Sequence, residues 1–397
     1  MRVLLTTESF LPYLSGVTVS VDALARGLGL RGHEVLVLGP RPADGEAPEP
    51  VGSPGPAPAY AWLPSYQLPR IAPPQYRMPL PLPWTGAMRT ATAFRADVVH
   101  AHSPFVTGLL ARRVARASGA PLVFTHHTRF ADYHHYLGPL AGPGSIATDA
   151  YLQRFWMACA AIVAPSGDLA DEIRAQLPDA RRHRVHVVPT GIDVAGIRAL
   201  TPVDPRIELG WEPDSIVAAS LGRLAREKSP LTLLDAIAVA ATRHPRLRLL
   251  VIGAGAAEAE VRARIARPDL AGRVALVGAL PRTEALARLR GCDLFVFTSR
   301  TETQGLVLAE AITCGLPAVA VAGPGVADSV RHEIDGIVVD AMPEAERVAR
   351  LAEAISSLVA EPARRAGLAA RAAADADRFA IEGRVEEIET VYRAAGA

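Results

Sequence analysis

Short apolar runs alternate with longer amphipathic stretches along nearly the whole chain, and this alternation constrains the fold more than any other feature. Val3–Thr6 is typical of a buried strand, and the apolar residues from Val17 to Leu28 fall on one helical face. Repeated strand–helix units predict parallel sheets covered by helices, which is an α/β fold. Further strand-like runs of this first series lie at 35–38, 98–100, 122–125, 161–164 and 185–188.

A second series of the same kind begins near Ile216. Turn residues in Pro189-Thr190-Gly191 separate the two series, so the predicted domains are 1–189 and 190–379, both Rossmann-like. The last helix, at about 380–397, fits either domain by its pattern, and packing back on the first domain is one arrangement we consider. The strand-like runs of the second series lie at 216–221, 247–252, 274–277, 294–297, 317–321 and 336–339.

Composition excludes several classes of protein. The formal net charge of +1 gives no overall field that would favour nucleic acid as a partner. Three widely spaced cysteines argue against a disulfide framework and suit a reducing compartment. The apolar run at the start is too short for a signal peptide, and no stretch approaches the ~20 apolar residues of a membrane span. We therefore expect a cytoplasmic protein that is at most peripheral to a membrane.

Lys228 is the only lysine among the 42 basic residues of the chain. It ends the segment Gly222-Arg223-Leu224-Ala225-Arg226-Glu227-Lys228, which directly follows a predicted buried strand. Ligands of doubly wound sheets bind beyond the carboxyl ends of strands, and arginine and lysine both bind phosphate oxygens. The segment therefore predicts a diphosphate site at Arg223 and Lys228, with an ordinary solvated loop as the alternative.

A second candidate segment runs from Glu302 to Glu310 and follows the strand at 294–297. Glu302 lies in a turn, Gly305 marks a predicted helix start, and Glu310 follows about two helical turns later. Free N–H groups at a helix start face anions well, and carboxylates accept hydrogen bonds from sugar hydroxyls. The alternative for Glu310 is an exposed helix residue between apolar neighbours.

The first series adds a glycine turn and three groups of histidines. Gly16 stands between a strand and its helix, where glycine lets a phosphate approach the backbone, although a plain tight turn fits equally well. His100 and His102 alternate, and two pairs follow at His126-His127 and His134-His135. These spacings lack a zinc motif and a cysteine partner, so a histidine that lines a ligand cleft is the preferred interpretation over zinc.

Two short motifs carry little weight. Asp375-Ala376-Asp377 has the D-x-D spelling of metal-dependent sugar transferases, but it lies in an alanine-rich helical region and we interpret it as chance. Gly253-Ala254-Gly255 follows a strand but lacks the third glycine of a dinucleotide-binding motif.

Taken in order, these motifs resemble the large retaining GT-B glycosyltransferases of family 4 (glycosyl transferases group 1). That resemblance implies two Rossmann-like domains facing each other across a cleft, a nucleotide-sugar donor and no metal ion or other cofactor. The matching segments are Ser15–Val17, Arg31–Val35, Val99–His102, Pro189–Asp193, Gly222–Leu224 with Lys228, and Glu302–Glu310 continuing to Pro317.

The resemblance also implies a role for each matching residue. Arg223 and Lys228 would hold the donor diphosphate, Glu310 would bind the ribose and Glu302 the donor sugar. His127 would lie beside the transferred sugar, so the expected catalytic group is His127, Glu302, Arg223 and Lys228. The expected donor-binding residues are Gly16, Arg223, Lys228, Glu302, Gln304, Gly305, Leu306 and Glu310.

A narrower resemblance points to bacterial 1,2-diacylglycerol 3-glucosyltransferases. Gln304 replaces the aromatic residue that many family members have there, and the segment His127–Tyr136 is similar to that branch. This resemblance implies UDP-glucose as the donor and diacylglycerol as the acceptor. It also implies peripheral contact with the inner face of the cell membrane. Ala111–Arg116 would then be a membrane-facing basic helix, unless it is a solvated helix face.

Other functions remain open at this stage. The donor could be another nucleotide sugar such as GDP-mannose, and the acceptor could be other than a lipid. A nucleotide-sugar 2-epimerase would use a similar fold, and a nucleotide-sugar-binding subunit without activity would use a similar site.

Overall fold

The computed structural model describes residues 1–13, 15–43, 54–67, 75–129, 141–340 and 342–397, without the side chains of 141–144. It divides into two compact units. The first contains Met1–Asp193 together with Ala380–Ala397, and the second contains Val194–Phe379. None of the helices in these ranges is long and apolar enough to cross a membrane.

The first unit contains a seven-stranded sheet in the order β3-β2-β1-β6-β7-β8-β9, in which every pair is parallel. A separate antiparallel hairpin pairs β4 with β5. The strands are β1 (Arg2–Thr6), β2 (Glu34–Pro40), β3 (Ala59–Leu63), β4 (Ser65–Gln67), β5 (Arg77–Pro79), β6 (Val98–Ala101), β7 (Leu122–Thr125), β8 (Ala161–Ala164) and β9 (Val185–Val187). The helices before the second unit are α1 (Gly16–Leu30), α2 (Gly86–Ala93), α3 (Val106–Ser118), α4 (Ala141–Met157), α5 (Gly167–Gln176) and α6 (Asp179–Arg182).

The second unit contains a six-stranded parallel sheet in the order β12-β11-β10-β13-β14-β15. Its strands are β10 (Ile216–Leu221), β11 (Leu247–Ile252), β12 (Val274–Leu276), β13 (Leu294–Phe297), β14 (Ala318–Val321) and β15 (Gly336–Val339). Its helices are α7 (Val194–Ala199), α8 (Pro205–Leu209), α9 (Pro230–Ala241), α10 (Glu258–Ile265), α11 (Arg282–Leu289), α12 (Leu306–Thr313), α13 (Glu344–Ala360) and α14 (Pro362–Ala374). The chain then returns to the first unit with α15 (Ile381–Ala394).

Local sequence explains where these elements begin and end. The central strands are buried on both faces, which is why they are continuous apolar runs rather than alternating ones. Ser15 caps α1 by accepting a hydrogen bond from the backbone N–H of Thr18 at 3.2 Å. Gly119 ends α3 in the left-handed conformation, with φ +72°.

Two different helix layers cover the sheet of the first unit. On one side, Val21 and Leu28 of α1 and Val385 of α15 pack in one cluster with Val3 of β1. On the other side, α2, α3, α4 and α5 pack in a second cluster that includes Leu4 of the same strand. Because Val3 and Leu4 point to opposite faces of the sheet, the two layers lie on opposite sides of it.

Buried polar contacts stabilise the packing of α15 on the first unit. Glu389 of α15 accepts hydrogen bonds from Arg31, at the end of α1, and its carboxylate lies 2.9 Å from the ring of His33. Tyr392, which is fully buried, places its hydroxyl 2.7 Å from Nδ1 of His100. The last helix, left open by its pattern, therefore belongs to the first unit.

The sequence analysis did not predict β3, β4 and β5. These strands are short, and β3 is an edge strand whose residues alternate between exposed and buried in a proline-rich region. Several other predictions lie outside the described residues. They concern the pair His134-His135 and the part of the segment His127–Tyr136 that lies at 130–136.

We expect Glu389→Gln to lower the unfolding free energy by about 2 kcal/mol, because Arg31 would lose a charged hydrogen-bond partner whose side chain is 3% exposed. Thermal unfolding of the full chain measures this. Glu386→Gln is the matched control, since Glu386 pairs with the same Arg31 but is 62% exposed and should change stability by less than about 0.5 kcal/mol. Equal effects of the two variants would contradict the assignment.

The same carboxylate predicts a pH dependence. Hydrogen bonding by Arg31 lowers the pKa of Glu389 from 4.5 to about 2. A lowered pKa in the folded state stabilises the protein fully above the unfolded value and loses that contribution as the pH falls. The stability difference between the native protein and Glu389→Gln should therefore persist down to about pH 4.5 and shrink towards pH 2. Denaturant unfolding between these two pH values measures it.

Candidate functional site

The sheet of the second unit has a switch point between β10 and β13. The order 12-11-10-13-14-15 means that the chain moves to one side after β10 and to the other side after β13. The loops that follow these two strands therefore separate, and the crevice between them is the usual ligand site of an open parallel sheet. Lys228 lies in the segment after β10, and Glu302 lies in the turn after β13.

The Lys228 turn is fixed to the end of β13. Residues Arg226–Lys228 form one turn of 3₁₀ helix, and Ser229 follows with φ +50° before α9 begins at Pro230. The hydroxyl of Thr298 donates to the carbonyl oxygens of Lys228 at 3.0 Å and Ser229 at 3.1 Å. This contact joins the two loops at the switch point.

Lys228 and Glu302 form an ion pair across this crevice. Nζ of Lys228 lies 2.6 Å from Oε1 of Glu302, and the two side chains are 22% and 20% exposed. The partial burial strengthens the attraction, while enough surface remains for a ligand to reach both groups. The other carboxylate oxygen of Glu302 makes no hydrogen bond with the described residues.

The turn between Glu302 and α12 is held by close packing. Gly305 precedes α12 with φ +74°, a conformation that favours glycine. Gln304 is buried, and its carbonyl oxygen accepts a hydrogen bond from the hydroxyl of Ser329 at 3.0 Å. Gly325 packs directly on Gln304, because a Cβ at Gly325 would lie 2.7 Å from the Gln304 Cα. The N-terminal amides of α12, starting at Leu306, thus have a defined position.

Glu310 is buried rather than exposed. Only 6% of the residue is accessible, and Nε of Arg282, at the start of α11, donates to its Oε1 at 2.8 Å. The alternative interpretation of Glu310 as an exposed helix residue is therefore wrong. A buried carboxylate with one cationic partner is a fixed acceptor for further hydroxyl donors.

Arg223 occupies a more open position than Lys228. Its side chain is 54% exposed, and its Nη2 donates to Oε1 of Glu227 at 2.8 Å. Among the described residues it forms no hydrogen bond with Lys228 or Glu302. The structure therefore brings Lys228 and Glu302 together directly, and it places Arg223 on the same loop with Glu227 as its partner.

The motif Gly253-Ala254-Gly255 has a packing role. A Cβ at Gly253 would lie 1.9 Å from the carbonyl oxygen of Gly222, and one at Gly255 would lie 2.3 Å from that of Leu224. The backbone N–H groups of Gly222 and Leu224 donate across the same contact, to Ile252 and Ala254. These glycines therefore let the loop after β11 lie directly against the loop that carries Arg223.

Two buried hydroxyls in the segment that carries Glu302 have no hydrogen-bond partner among the described residues. They are Oγ of Ser299 and Oγ1 of Thr301, both in the segment between β13 and α12. Buried polar atoms in native proteins are nearly always hydrogen-bonded, to protein, water or ligand. Such a segment is suited to bind a polar ligand.

The first unit holds the remaining predicted residues. Gly16 is exposed at the first position of α1, next to the capping side chain of Ser15. His127 follows β7, and its Nε2 lies 2.9 Å from Nδ1 of the buried His102. Gly16 and His127 therefore both lie beyond the carboxyl ends of strands of their own sheet, β1 and β7.

His102 and His127 belong to a buried polar cluster. The ring of His100 lies 4.2 Å from that of His102 and has Tyr392 and Thr125 as partners, each at 2.7 Å. Burial lowers the pKa of His100 and His127 to about 3, and lowers that of His102 well below its ordinary value. These rings are neutral at pH 7 and act as hydrogen-bonding groups rather than as cations.

The carboxylates of the Asp375-Ala376-Asp377 motif form ion pairs with arginines. Asp375 pairs with Arg331 and Arg378, and Asp377 pairs with Arg198. Within the part of the chain that the structure describes, no group of three or more His, Cys, Asp or Glu side chains is arranged to hold a metal ion.

Four residues of these sites were missed by the sequence analysis. Arg282, Thr298 and Tyr392 each contact a predicted residue that lies 28 or more positions away in sequence, and Glu227 contacts Arg223, four positions before it. Only Thr298 carried a usable signal, because it directly follows β13 at the switch point.

Two family models match this chain. The model described as Glycosyltransferase Family 4 matches residues 14–195, and the model described as Glycosyl transferases group 1 matches residues 205–375. Together they cover the two series of strand–helix units.

Individual relatives and solved structures agree with these matches. An alpha-monoglucosyldiacylglycerol synthase of Acholeplasma laidlawii is 27% identical over 80% of this chain and 80% of its own length. A GDP-mannose-dependent alpha-mannosyltransferase of Mycolicibacterium smegmatis is 30% identical over 94% of this chain and 92% of its own. The crystal structure of Anabaena HepE in complex with UDP-glucose superposes with a TM-score of 0.71 at 19% identity, over 98% of this chain and 99% of that one.

We expect Gly253→Ala to lower the unfolding free energy of the second unit by about 3 kcal/mol, because the new methyl group would overlap the Gly222 carbonyl and the backbone conformation would be strained. Gly278→Ala is the control, since Gly278 also has a positive φ but has open space around it, and strain alone should cost about 1 kcal/mol. Thermal unfolding measures both. A Gly253→Ala variant as stable as Gly278→Ala would contradict the close contact.

Proposed function

This chain belongs to glycosyltransferase family 4 and has the GT-B fold, and we propose that it transfers a hexose from a nucleotide sugar to a lipid acceptor with retention of anomeric configuration. The ion pair between Lys228 and Glu302 is the observation that carries this proposal. It places a cation and a carboxylate side by side at the switch point of a doubly wound sheet. A cation there can hold a diphosphate, and the carboxylate beside it can bind the adjoining sugar.

In this proposal Lys228 and Arg223 stabilise the diphosphate as it leaves. Negative charge develops on the phosphate oxygens as the bond to the sugar breaks, and preorganised cations lower the energy of that state. The first N–H groups of α12, at Gly305 and Leu306, add the positive end of a helix dipole. No metal ion is required for this role, because these groups supply the positive charge.

The carboxylates of the segment bind the rest of the donor. The carboxylate oxygen of Glu302 that has no hydrogen-bond partner among the described residues accepts hydrogen bonds from the sugar hydroxyls, and the hydroxyls of Ser299 and Thr301 lie in the same segment. Glu310, fixed by Arg282, accepts the ribose hydroxyls. Gln304 lies in the turn between these carboxylates.

His127 and Gly16 contribute from the first unit. A neutral His127 ring can accept a hydrogen bond from the transferred sugar, or donate one to it, without adding a positive charge. Gly16, with no side chain at an exposed helix start, lets a phosphate group approach the backbone.

For the substrates we propose UDP-glucose as donor and diacylglycerol as acceptor. The support is the similarity to the alpha-monoglucosyldiacylglycerol synthase, the UDP-glucose bound to HepE, and Gln304 with the segment around His127. Action on a membrane lipid entails peripheral contact of a cytoplasmic enzyme with the inner face of the cell membrane.

A second candidate function is mannosyl transfer from GDP-mannose. The alpha-mannosyltransferase of M. smegmatis, which its name describes as GDP-mannose-dependent, matches more of this chain than the glucosyl relative does. The contacts proposed above are to a diphosphate, a ribose and a hexose, and both donors contain these three parts.

We expect one nucleotide sugar to bind well above the others in a calorimetric screen of UDP-, GDP- and ADP-sugars, with UDP-glucose the strongest. Incubation of the preferred radiolabelled donor with diacylglycerol vesicles should give a glycolipid, and donor alone should stay intact. Donor turnover without acceptor would instead indicate an epimerase, and tight binding with neither turnover nor transfer would indicate a binding subunit. No glycolipid from any donor would contradict the lipid acceptor.

We expect Lys228→Ala to weaken binding of the nucleoside diphosphate by about 10- to 100-fold, which is the usual range for loss of one charged hydrogen bond. Arg226→Ala is the matched control, because Arg226 lies in the same 3₁₀ turn but is 84% exposed and pairs with Glu260. Lys228→Arg should also lose activity, since a wider guanidinium must fit beside Glu302. Unchanged affinity in Lys228→Ala would contradict the proposed diphosphate site.

A further inference from the structure

His127 shares a hydrogen bond with His102, and the two rings differ in how far a ligand can reach them. Nε2 of His127 lies 2.9 Å from Nδ1 of His102, and the ring planes are 21° apart. His127 is partly exposed, whereas only 3% of His102 is accessible. A substrate can therefore meet the His127 ring, and His102 can act on a substrate only through His127.

The backbones of both residues are anchored to the sheet of the first unit. His102 directly follows β6, and its backbone N–H donates to the carbonyl oxygen of Thr6, the last residue of β1, at 2.8 Å. The backbone N–H of His126, next to His127, donates to the carbonyl oxygen of Val163 of β8 at 2.9 Å. The strands therefore fix where the two side chains start, and the hydrogen bond between the rings fixes how they are turned.

His100 packs against His102 but does not compete for its hydrogen bond. The two ring centroids are 4.2 Å apart. Nδ1 of His100 lies 2.7 Å from the hydroxyl of Tyr392, and Nε2 lies 2.7 Å from Oγ1 of Thr125. Both nitrogens of His100 are thus engaged by hydroxyl groups, and His127 is the hydrogen-bond partner of the His102 ring in the described part of the chain.

A hydrogen bond between two neutral imidazoles contains one proton. Burial lowers the pKa of His127 to about 3 and that of His102 well below its ordinary value, so at pH 7 each ring has one N–H and one lone pair. Either His102 donates from Nδ1 and the proton of His127 lies on its own Nδ1, or His127 donates from Nε2 and the proton of His102 lies on its own Nε2. The two tautomers are therefore coupled, and the surroundings of one ring decide both.

The surroundings of His102 favour the first arrangement. Nε2 of His102 has no hydrogen-bond partner among the described residues, and the protein encloses this atom so closely that almost no surface remains for a water molecule to contact. A proton on Nε2 would be a buried donor without an acceptor. Because such N–H groups are rarer in native proteins than buried acceptors without a donor, the proton of His102 belongs on Nδ1.

We propose that His102 is a positioning residue for His127, which donates from Nδ1 to Nε2 of His127 and so assigns the contact with the transferred sugar to the Nδ1–H group of His127. This inference rests on the proposed contact between His127 and the sugar. It adds that His127 is a hydrogen-bond donor to a sugar oxygen and not a base, because its unprotonated nitrogen is occupied by His102.

The first test is a nitrogen NMR spectrum of the full chain with ¹⁵N-labelled histidine at pH 7, without substrate. Protonated and unprotonated ring nitrogens have well-separated chemical shifts, and each residue is identified by the signals that disappear in His127→Gln or His102→Asn. We expect the proton on Nδ1 in both rings. A native His127 ring with its proton on Nε2 would overturn the proposal.

Two substitutions at position 102 separate the hydrogen bond from packing. Asparagine places an amide N–H close to the position of the histidine Nδ1, whereas phenylalanine keeps the ring and removes the donor. His102→Asn should therefore retain the native tautomer of His127, and His102→Phe should lose it. A native His127 signal pattern in His102→Phe would overturn the proposal.

Tyr392→Phe is the matched control for these spectra. It removes a hydroxyl group from the same buried cluster, but that hydroxyl contacts His100 and not His127. The variant should be less stable in thermal unfolding and should keep the native signal pattern of His127. A change as large as that in His102→Phe would overturn the proposal, because the His127 ring would then depend on the whole cluster and not on His102.

Transfer kinetics test the consequence for the reaction, with diacylglycerol and UDP-glucose, or GDP-mannose if calorimetry selects it. His102→Phe should lower kcat about 10- to 100-fold, because the ring that meets the sugar is no longer held in place, and should change the donor KM by less than about threefold. His102→Asn should retain at least about one third of the native kcat. Equal losses in the two folded variants would indicate packing alone and would overturn the positioning role.

His127→Gln distinguishes failure of this inference from failure of the proposed function. Native kcat in His127→Gln would remove the contact between His127 and the sugar from the proposed function, and the sugar contact of this inference with it, whatever tautomer the spectra show. Loss of activity in His127→Gln together with native kcat in His102→Phe would leave the proposed function and overturn the role of His102.

Discussion

The hydroxyl of Thr298 joins the two halves of the donor-side crevice, and the arrangement of Lys228 and Glu302 depends on it. It binds the carbonyl oxygens of Lys228 and Ser229, so the turn after β10 cannot move independently of the end of β13. Without this contact the 2.6 Å ion pair would have to order two loops at the expense of their conformational entropy. With the contact in place, the ion pair forms between groups whose backbones are already positioned.

Close backbone packing extends the same constraint to the neighbouring loops. Gly253 lies against the carbonyl of Gly222, and Gly325 lies against the backbone of Gln304, at distances that leave no space for a Cβ. The loops at the carboxyl edge of the second sheet therefore support each other through their main chains. Side chains such as Arg223 and Glu302 are then left to face a ligand, which explains why glycine is needed at positions that contact no ligand in our proposal.

The sheets could be predicted from the sequence because their central strands are continuous apolar runs, as in β10 and β13. The strands β3 to β5 could not, because short edge strands with mixed burial resemble loops. Within the site, position relative to strand ends indicated Lys228 and Glu302. The partner Arg282 could not be predicted, because its contact with Glu310 depends on how two helices pack and leaves no local pattern. The helix α15 was ambiguous for the same reason, since its attachment rests on Tyr392 and Glu389 meeting residues about 300 or more positions away.

Arginine content is a weak signal in a chain with a single lysine, because nearly every cation is an arginine whatever its role. Pairing distinguishes these roles. On α1 and α15 the arginines face carboxylates on the same helix or its neighbour, and their charge is neutralised within the protein. On α3 the exposed Arg113 and Arg116 have no carboxylate partner among the residues that the structure describes, and Leu109 precedes them on the same exposed face of the helix.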